Sequence, residues 1–373
     1  MSDTNLTFAI IGASAGIAES HLNALKQLPG AKIVGMQDIA VERGTKRAAE
    51  FGCPFFTDHK KMLAETKPDV AVITTPHPLH APIALDAFAA GCHVHTEKPV
   101  AVEVAQADLM IAAAEKAGKL LTVNYQKRFW RGTEYMRKVV GQGELGELIR
   151  VLCIEPWYRT EAYYKSATWR GTWAGEGGGV LMNQAPHTLD LLCHLAGLPK
   201  KVWGWVRTRY HSMECEDSAQ AMLEYPNGAP GYLTVSTVET GVETRLQLIG
   251  EKGGLEMVGD KVFRFTFTPG LLEHMRTSTE MWSGPKQERT EVALTTGPDG
   301  NHLDCYKDLA AAIREKKTPR VTGKEALMSM ELANAIVLSS FEDRAITLPC
   351  DRKAYTALLN DLKSGKRSLK SPA

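Results

Sequence analysis

Leu6-Thr7-Phe8-Ala9-Ile10-Ile11-Gly12-Ala13-Ser14-Ala15-Gly16-Ile17-Ala18 is the stretch from which the fold is read. An apolar strand pattern over Leu6–Gly12 ends in a turn of small residues, and a helical pattern over Ile17–Leu28 follows. Small residues at such a turn let the backbone approach a pyrophosphate, which the first N–H groups of the helix can face. A strict G-x-G-x-x-G has glycine at Ser14 and glycine or alanine at Ile17, so the spacing by itself is a weak signal. Context strengthens it. Lys32–Asp38 reads as the second strand, and Asp38 lies 22 residues after Gly16, near the spacing of an acid that accepts from a ribose 2′-OH. A carboxylate there favours NAD over NADP because it repels a 2′-phosphate, and Arg43 nearby blunts that preference.

Outward from this stretch, helix and strand patterns alternate. Val41–Phe51, Pro82–Ala90 and Ala105–Ala117 read as helices; Val70–Thr74, His93–Thr96 and Leu120–Val123 read as strands. Such alternation means βαβ units and a doubly wound parallel sheet, placed in a domain of residues 1–124. Past residue 148 the pattern changes. Ile149–Glu155, Lys201–Arg209, Ser218–Glu224, Pro230–Val238, Glu243–Ile249 and Gly254–Met257 follow one another as strands, with one evident helix around His187–Leu195. Consecutive strands joined by turns such as Pro226-Asn227-Gly228 predict a large open, mainly antiparallel sheet. That sheet belongs to a second α/β domain of residues 125–373. Residues 258–300 carry no clear period. Helices return at His302–Arg314 and Gly323–Ser340, then Ile346-Thr347-Leu348-Pro349 precedes a basic end.

The bulk properties exclude some functions. A chain of 373 residues with 44% apolar and 23% charged residues is an ordinary globular one of two-domain size. Its net charge of +1 gives no electrostatic ground for binding nucleic acid or a membrane surface. The beginning of the chain lacks the pattern of a secretory signal, and no apolar run has bilayer-spanning length, so a cytoplasmic protein is expected. The seven cysteines stand singly and predict reduced thiols. The eleven histidines show no pairing with Cys or Glu at ligand spacing, so no metal is expected.

Two motifs carry chemistry. Glu97-Lys98-Pro99 stands directly after the apolar run Cys92-His93-Val94-His95-Thr96. Proline pushes the residue before it toward extended geometry, and strand ends are where open α/β sheets bind ligands. Lys98 is therefore an aimed ammonium and a candidate acid/base, where an isolated Lys-Pro would read as a solvated turn. The other motif is Gly177-Gly178-Gly179-Val180-Leu181-Met182-Asn183-Gln184-Ala185-Pro186-His187-Thr188-Leu189-Asp190. Its glycines admit something flat or bulky close to the backbone. The helix read after them carries Asn183, His187 and Asp190 on one face. Upstream, Trp157-Tyr158-Arg159, Tyr163-Tyr164 and Trp169-Arg170-Gly171-Thr172-Trp173 crowd aromatics and arginines together. Aromatics stack on sugar C–H faces, and arginine donates to hydroxyls or carboxylates. About half of these side chains are expected as core or interface anchors. Tyr158, Trp169 and Arg170 are the candidate substrate contacts. No Lys/Arg cluster suited to a phosphate accompanies them, so a neutral ring is expected.

With these motifs placed, the chain resembles the Gfo/Idh/MocA family, of the kind of glucose–fructose oxidoreductase and inositol dehydrogenase. The resemblance extends to Thr75-Pro76…His80, to Ala90-Gly91-Cys92-His93-Val94, and to Pro319-Arg320-Val321-Thr322-Gly323-Lys324-Glu325-Ala326. It implies a Rossmann domain plus an α/β domain whose open sheet packs subunits into homodimers or homotetramers. It also implies NAD(P)-linked oxidation of a secondary hydroxyl on a pyranose sugar, anhydrosugar, cyclitol or glycoside. Cofactor contacts are implied for Gly12, Ser14, Ala15, Gly16, Ile17, Asp38, Arg43, Thr75, Pro76, His80, Glu97, Lys98 and Gln126. Catalytic roles fall on Lys98 and His187, and substrate contacts on Lys98, Asn183 and His187. Two departures stand out: Asn183 occupies the position of the family's usual aspartate, and the glycine loop is one residue longer.

Either Lys98 or His187 can take the hydroxyl proton. A free lysine is too basic for that at neutral pH, but burial beside cationic NAD+ lowers it, while histidine needs no such help. Two other readings stay open. One is a redox-neutral glycosidase or lyase working through a transient 3-keto intermediate. The other is a non-catalytic sugar-binding regulator, against which the retention of Lys98 and His187 speaks.

Overall fold

The structure, a computed structural model, describes residues 5–369. The chain begins β1 (Leu6–Ile11), α1 (Ala18–Gln27), β2 (Ala31–Gln37), α2 (Val41–Glu50), β3 (Phe55–Phe56), α3 (His59–Thr66), β4 (Val70–Ile73), α4 (His80–Ala89), β5 (His93–Thr96), α5 (Val104–Ala117) and β6 (Leu121–Val123). It continues α6 (Arg131–Gly141), β7 (Leu148–Pro156), α7 (Glu161–Lys165), α8 (Val180–Asn183), α9 (Pro186–Ala196), β8 (Lys201–Arg207), β9 (Ser218–Glu224), β10 (Pro230–Ser236), β11 (Arg245–Gly250) and β12 (Gly253–Val258). It ends β13 (Lys261–Thr268), α10 (Leu271–Thr277), β14 (Lys286–Glu291), α11 (His302–Glu315), α12 (Gly323–Glu342), β15 (Ile346–Thr347) and α13 (Arg352–Lys363).

Two compact units result. The first holds the chain up to Phe129 together with Ala174–Gly177 and Asp299–Met330. The second holds Trp130–Trp173, Gly178–Pro298 and the chain from Glu331 on. The units are thus not the two contiguous halves read from the sequence. A cut at residue 124 would strip the first unit of α11, whose Tyr306, Leu309 and Ala310 fill its core against Phe8, Ile10 and Leu22. A capping box of Asn301 and Asp304 starts that helix.

The first unit is built on a six-stranded parallel sheet in the order β3-β2-β1-β4-β5-β6. Strand order reverses between β1 and β4, which opens a crevice at the carboxyl ends of the strands. Phe8, Ile10, Val70 and Val72 are fully buried, as expected for central strands covered on both faces. Two elements were not read from the sequence: β3 is too short to show a period, and α3 rests on Asp58, which accepts from the Lys61 N–H as its cap.

The second unit carries a nine-stranded sheet in the order β14-β13-β12-β11-β7-β10-β9-β8-β15. It is mixed: β7 pairs with β10 in parallel, and the other neighbours are antiparallel. Along β8, Val202, Gly204 and Val206 are buried while Trp203 and Trp205 are exposed, the period of two that one covered face imposes. The covered face is tied to helices: Gly204 N–H donates to Ser339 Oγ of α12 at 2.9 Å, and Thr188 of α9 donates to Glu155 of β7 at 2.6 Å. On the other face Trp203, Met222 and Tyr232 lie abreast in register across β8, β9 and β10. They are 56%, 62% and 42% exposed.

Residues 258–300 are better ordered than their sequence suggests. β14, Lys-Gln-Glu-Arg-Thr-Glu, is exposed at every position, so it has no buried face to print an alternation; its extended form comes from pairing with β13. The basic end is helical too. Asp351 caps α13, which buries Tyr355, Leu358, Leu359 and Leu362.

Candidate active site

The glycine loop, Asp38, Thr75, Pro76, Glu97, Lys98 and Gln126 come after the carboxyl ends of strands of the parallel sheet, while Arg43 lies in α2 and His80 opens α4. Gly12 turns at φ +89, and a Cβ there would stand 2.9 Å from both the Thr74 carbonyl carbon and the Thr75 nitrogen, so only glycine fits. Asp38 Oδ2 accepts from the Ser14 N–H at 2.6 Å and Oδ1 from the Ala40 N–H at 2.8 Å. Arg43 donates to the Ser14 carbonyl and Arg47 to the Ala13 carbonyl, each at 2.7 Å. Arg43 thus braces the loop. What remains suits an anion: Ser14 Oγ is buried without a partner, Gly16 is open on its Cβ side, and the Gly16 and Ile17 N–H groups meet no acceptor among the described residues. Donors at the head of α1 with an acid at the end of β2 fit a dinucleotide. Ala15 lies within the loop. Thr75 Oγ1 and Gln126 Oε1, beyond β4 and β6, are further buried polar atoms without partners.

Pro76 is exposed and opens a turn that leads to His80. The two ring nitrogens of His80 face the carbonyls of Pro99 and Thr75, each at 2.9 Å. Only a charged ring would donate to both. Burial opposes that charge and outweighs the two carbonyls, so His80 stays neutral.

Glu97, expected at the cofactor, is instead bonded inward. Its Oε1 accepts from His21 Nε2 at 2.8 Å and Asn124 Nδ2 at 2.6 Å, and Oε2 faces the Lys98 N–H at 3.2 Å. Burial would raise the Glu97 pKa, but the hydrogen bond from His21, the His302 ring 3.7 Å away and the charge of Lys98 outweigh it, and the group is held well below the usual carboxylate range. His21 is pushed down by burial and is neutral. Its Nδ1 therefore accepts from Tyr306, 2.7 Å away, whose phenol burial keeps protonated. Lys98 is half-buried on this platform.

His21, Glu97 and His302 were invisible as a group in the sequence, since they come from α1, the end of β5 and α11. Their nearest ligand-type atoms lie within 4.8 Å of one another. Two ligands of one tetrahedral zinc sit about 3.3 Å apart, given bonds of about 2.0–2.1 Å. The 2.8 Å His21–Glu97 contact is shorter and is a direct hydrogen bond. The cluster is closed by protons.

In the second unit the expected single helix is two. Asn183 ends α8, Gln184 and Ala185 intervene, and Pro186 opens α9 with His187 and Asp190. Proline at the first position of a helix is favoured but cannot continue an earlier one, which explains the break. Asn183 and His187 are half-buried; Asp190 is buried among the apolar residues of α9 and so leaves the face they present. The glycines serve the chain itself: a Cβ on Gly179 would collide with the Glu216 carbonyl, and Gly177 at φ +78 would bring one within 2.6 Å of the Val102 Cβ.

Within the aromatic–arginine segment the side chains differ in burial. Trp173 is buried and donates to the Glu214 carbonyl, a core anchor. Tyr158 is 51% exposed. Arg170 stacks on Trp169 and on Tyr163, with its guanidinium carbon 4.4 and 4.3 Å from the ring centres. The sequence reading omitted Tyr163 from the site, yet its hydroxyl gathers Arg170 Nη1 at 2.7 Å and the amides of Asn183 and Gln184 at 3.2 Å. A phenol oxygen has two acceptor sites and one proton, and Gln184 Oε1 is buried without a partner. Turning the Gln184 amide over gives the Tyr163 proton an acceptor. No spacing signals Tyr163; only the fold brings it to Asn183.

Comparison with known proteins agrees with this architecture. Residues 6–125 match the oxidoreductase family with an NAD-binding Rossmann fold, and residues 133–256 match the GFO/IDH/MocA C-terminal domain. The 1,5-anhydro-D-fructose reductase of Ensifer adhaerens is 29% identical, covering 91% of this chain and 97% of its own. The scyllo-inositol 2-dehydrogenase (NADP(+)) IolW of Bacillus subtilis is 26% identical over 75% of this chain and 79% of its own. Among solved structures, the WlbA dehydrogenase of Chromobacterium violaceum, in complex with NADH and UDP-GlcNAcA, superposes with a TM-score of 0.82 at 28% identity, covering 94% of this chain and 98% of its own. No helix among the described residues is long and apolar enough to cross a membrane. With both of its sheets, its glycine loop and its Glu97-Lys98-Pro99 platform accounted for, the chain belongs to the Gfo/Idh/MocA family of NAD(P)-binding oxidoreductases.

Proposed function

We propose that this protein is an NAD-dependent dehydrogenase that oxidises a secondary hydroxyl of a sugar, anhydrosugar, cyclitol or glycoside to the ketone. The observation that carries the reading is Lys98, half-buried after β5 in the sheet that holds the glycine loop, its backbone N–H donating to an ionised Glu97. Relatives named for anhydrofructose and scyllo-inositol support the substrate class.

Asp38 holds the adenosine ribose, and the head of α1 with Ser14 holds the pyrophosphate. Bound there, the nicotinamide supplies the hydride acceptor. Lys98 Nζ or an imidazole nitrogen of His187 takes the hydroxyl proton, and Asn183, an amide that cannot titrate, orients the substrate. Asn183 cannot serve as the acid partner that an aspartate would be, so proton transfer rests on Lys98 and His187. The Asp38 carboxylate favours NAD, since a 2′-phosphate beside it would be repelled. The exposed row Trp203, Met222 and Tyr232 is the surface on which a second subunit packs, as a homodimer or within a homotetramer. Growth of absorbance at 340 nm on a panel of sugars, cyclitols and glycosides with NAD+ tests the proposal. Product formation without net NADH would point instead to a redox-neutral eliminase.

A further inference from the structure

Arg159 is a cation whose surroundings are prepared and whose acceptor is missing. Its backbone is pinned on both sides, N–H to the Thr237 carbonyl at 2.8 Å and carbonyl to His211 Nε2 at 2.9 Å. Its guanidinium stacks on two rings, with the carbon 5.5 Å from the centre of Trp157 and 4.9 Å from that of Tyr163. Nη1 donates to the Tyr158 carbonyl at 3.0 Å. Nε is buried with no partner, and Arg159 enters no ion pair among the described residues. The Nε–Nη2 edge is one of the two edges by which a guanidinium grips a carboxylate bidentately. Neither nitrogen of that edge has a hydrogen-bond partner among the described residues.

Among the described residues, none of the acids near it in the fold pairs with Arg159, and each has a contact of its own. Glu161 accepts from the Ser212 N–H at 2.7 Å and faces Lys165 at 3.8 Å. Asp217 accepts from the N–H groups of Arg209, Tyr210 and His211. Glu155 takes the Thr188 hydroxyl at 2.6 Å, and Glu214 faces the Trp173 N–H at 3.2 Å. Arg159 also shares the Tyr163 ring with Arg170, and the Tyr163 hydroxyl reaches Asn183, one turn before His187. The unpartnered edge therefore belongs to the same cluster as the substrate-orienting amide.

We infer that Arg159 binds a carboxylate of the substrate, so that the physiological substrate is an acidic sugar or cyclitol rather than a neutral one. The inference rests on the dehydrogenase reading and revises the neutral ring expected from the sequence. A carboxylate is favoured over a phosphate because one bidentate edge satisfies a single carboxylate, whereas a phosphate dianion presents a third oxygen and a second charge.

The test compares glucuronate with glucose and with glucose 6-phosphate, NADH formation being measured for the wild type and Arg159→Met. The proposal expects kcat/KM for glucuronate to exceed that for glucose by about tenfold or more. In Arg159→Met that ratio should fall to near one, chiefly through KM. Arg159→Lys keeps charge and stem but loses the fork, and should cut the ratio severalfold if the Met variant does not fold. Preference for glucose or for glucose 6-phosphate in the wild type overturns the inference, as does a glucuronate preference that survives in both variants. If none of the three sugars yields NADH, the dehydrogenase reading is in question and melting temperature decides the site: a rise with glucuronate that Arg159→Met abolishes upholds it, and no rise overturns it.

Discussion

His21 Nε2 lies 2.8 Å from Glu97 Oε1, so the helix that follows the glycine loop is bonded directly to the residue before Lys98. Both side chains are almost fully buried, with exposures of 0% and 7%. The glycine loop and Lys98 thus share one buried joint. Removing a partner of a buried charge costs about 3–5 kcal/mol. His21→Ala is therefore expected to lower the melting temperature clearly and to reduce turnover at saturating NAD+; an unchanged melting curve would show that the joint is not structural.

The buried histidines predict acid lability. His77 and His95 are held down to about 3 by burial, from an ordinary 6.5. Between 6.5 and about 3 the unfolded chain binds protons that the folded chain does not, so stability falls as pH falls through this window. Each such histidine contributes a slope of at most about 1.4 kcal/mol per pH unit. His21 and His80 shift in the same direction. Melting temperature is expected to be flat from pH 8 to 7 and to drop increasingly below 6.5. A curve that stays flat to pH 5 would contradict the neutral buried rings.

The two proposed proton acceptors are separable by mutation. Lys98→Met and His187→Ala should each lower kcat by about 10²–10⁴-fold, the range of general acid–base catalysis, while equilibrium binding of NAD+ by fluorescence persists. Near-wild-type turnover in both variants would remove the assignment.

On the proposed reading, cofactor choice rests on Asp38. Its carboxylate is already hydrogen-bonded to Ser14 and Ala40, so Asp38→Ser alters both loop geometry and charge. The ratio of kcat/KM for NAD+ to that for NADP+ should fall about tenfold or more, as one lost charged hydrogen bond implies. A ratio that does not move would place the selectivity elsewhere.

The exposed sheet face predicts assembly. Trp203→Glu combined with Met222→Glu, adjacent in register on β8 and β9, should convert the oligomer to a monomer in light scattering without loss of the far-ultraviolet spectrum. Retention of the wild-type mass would assign the contact to another face.

The sequence carries the first unit clearly, because its strands are buried on both faces and its helices are long enough to show their period. Ser218–Glu224 is a strand with the bounds read for it. Legibility failed where a residue's role depends on a distant partner. β14 has no buried face, α11 fills a core formed by the beginning of the chain, and the helix holding Asn183 and His187 breaks at Pro186. The motif residues were found because proline and glycine leave local signatures. Tyr163 and Arg159 leave only the crowding of aromatics and arginines around them, and His21 and His302 leave none, since what distinguishes them is the side chain that the fold brings beside them.

The most direct test of the account is the fate of one hydrogen atom. With the best substrate deuterated at the carbon bearing the reacting hydroxyl, mass spectrometry of the reduced cofactor should show deuterium at nicotinamide C4 for the wild type and at least 100-fold slower transfer for Lys98→Met, the lower bound expected for loss of a proton-transfer group. Product formed while the deuterium appears in solvent, or transfer at an undiminished rate in Lys98→Met, would contradict it.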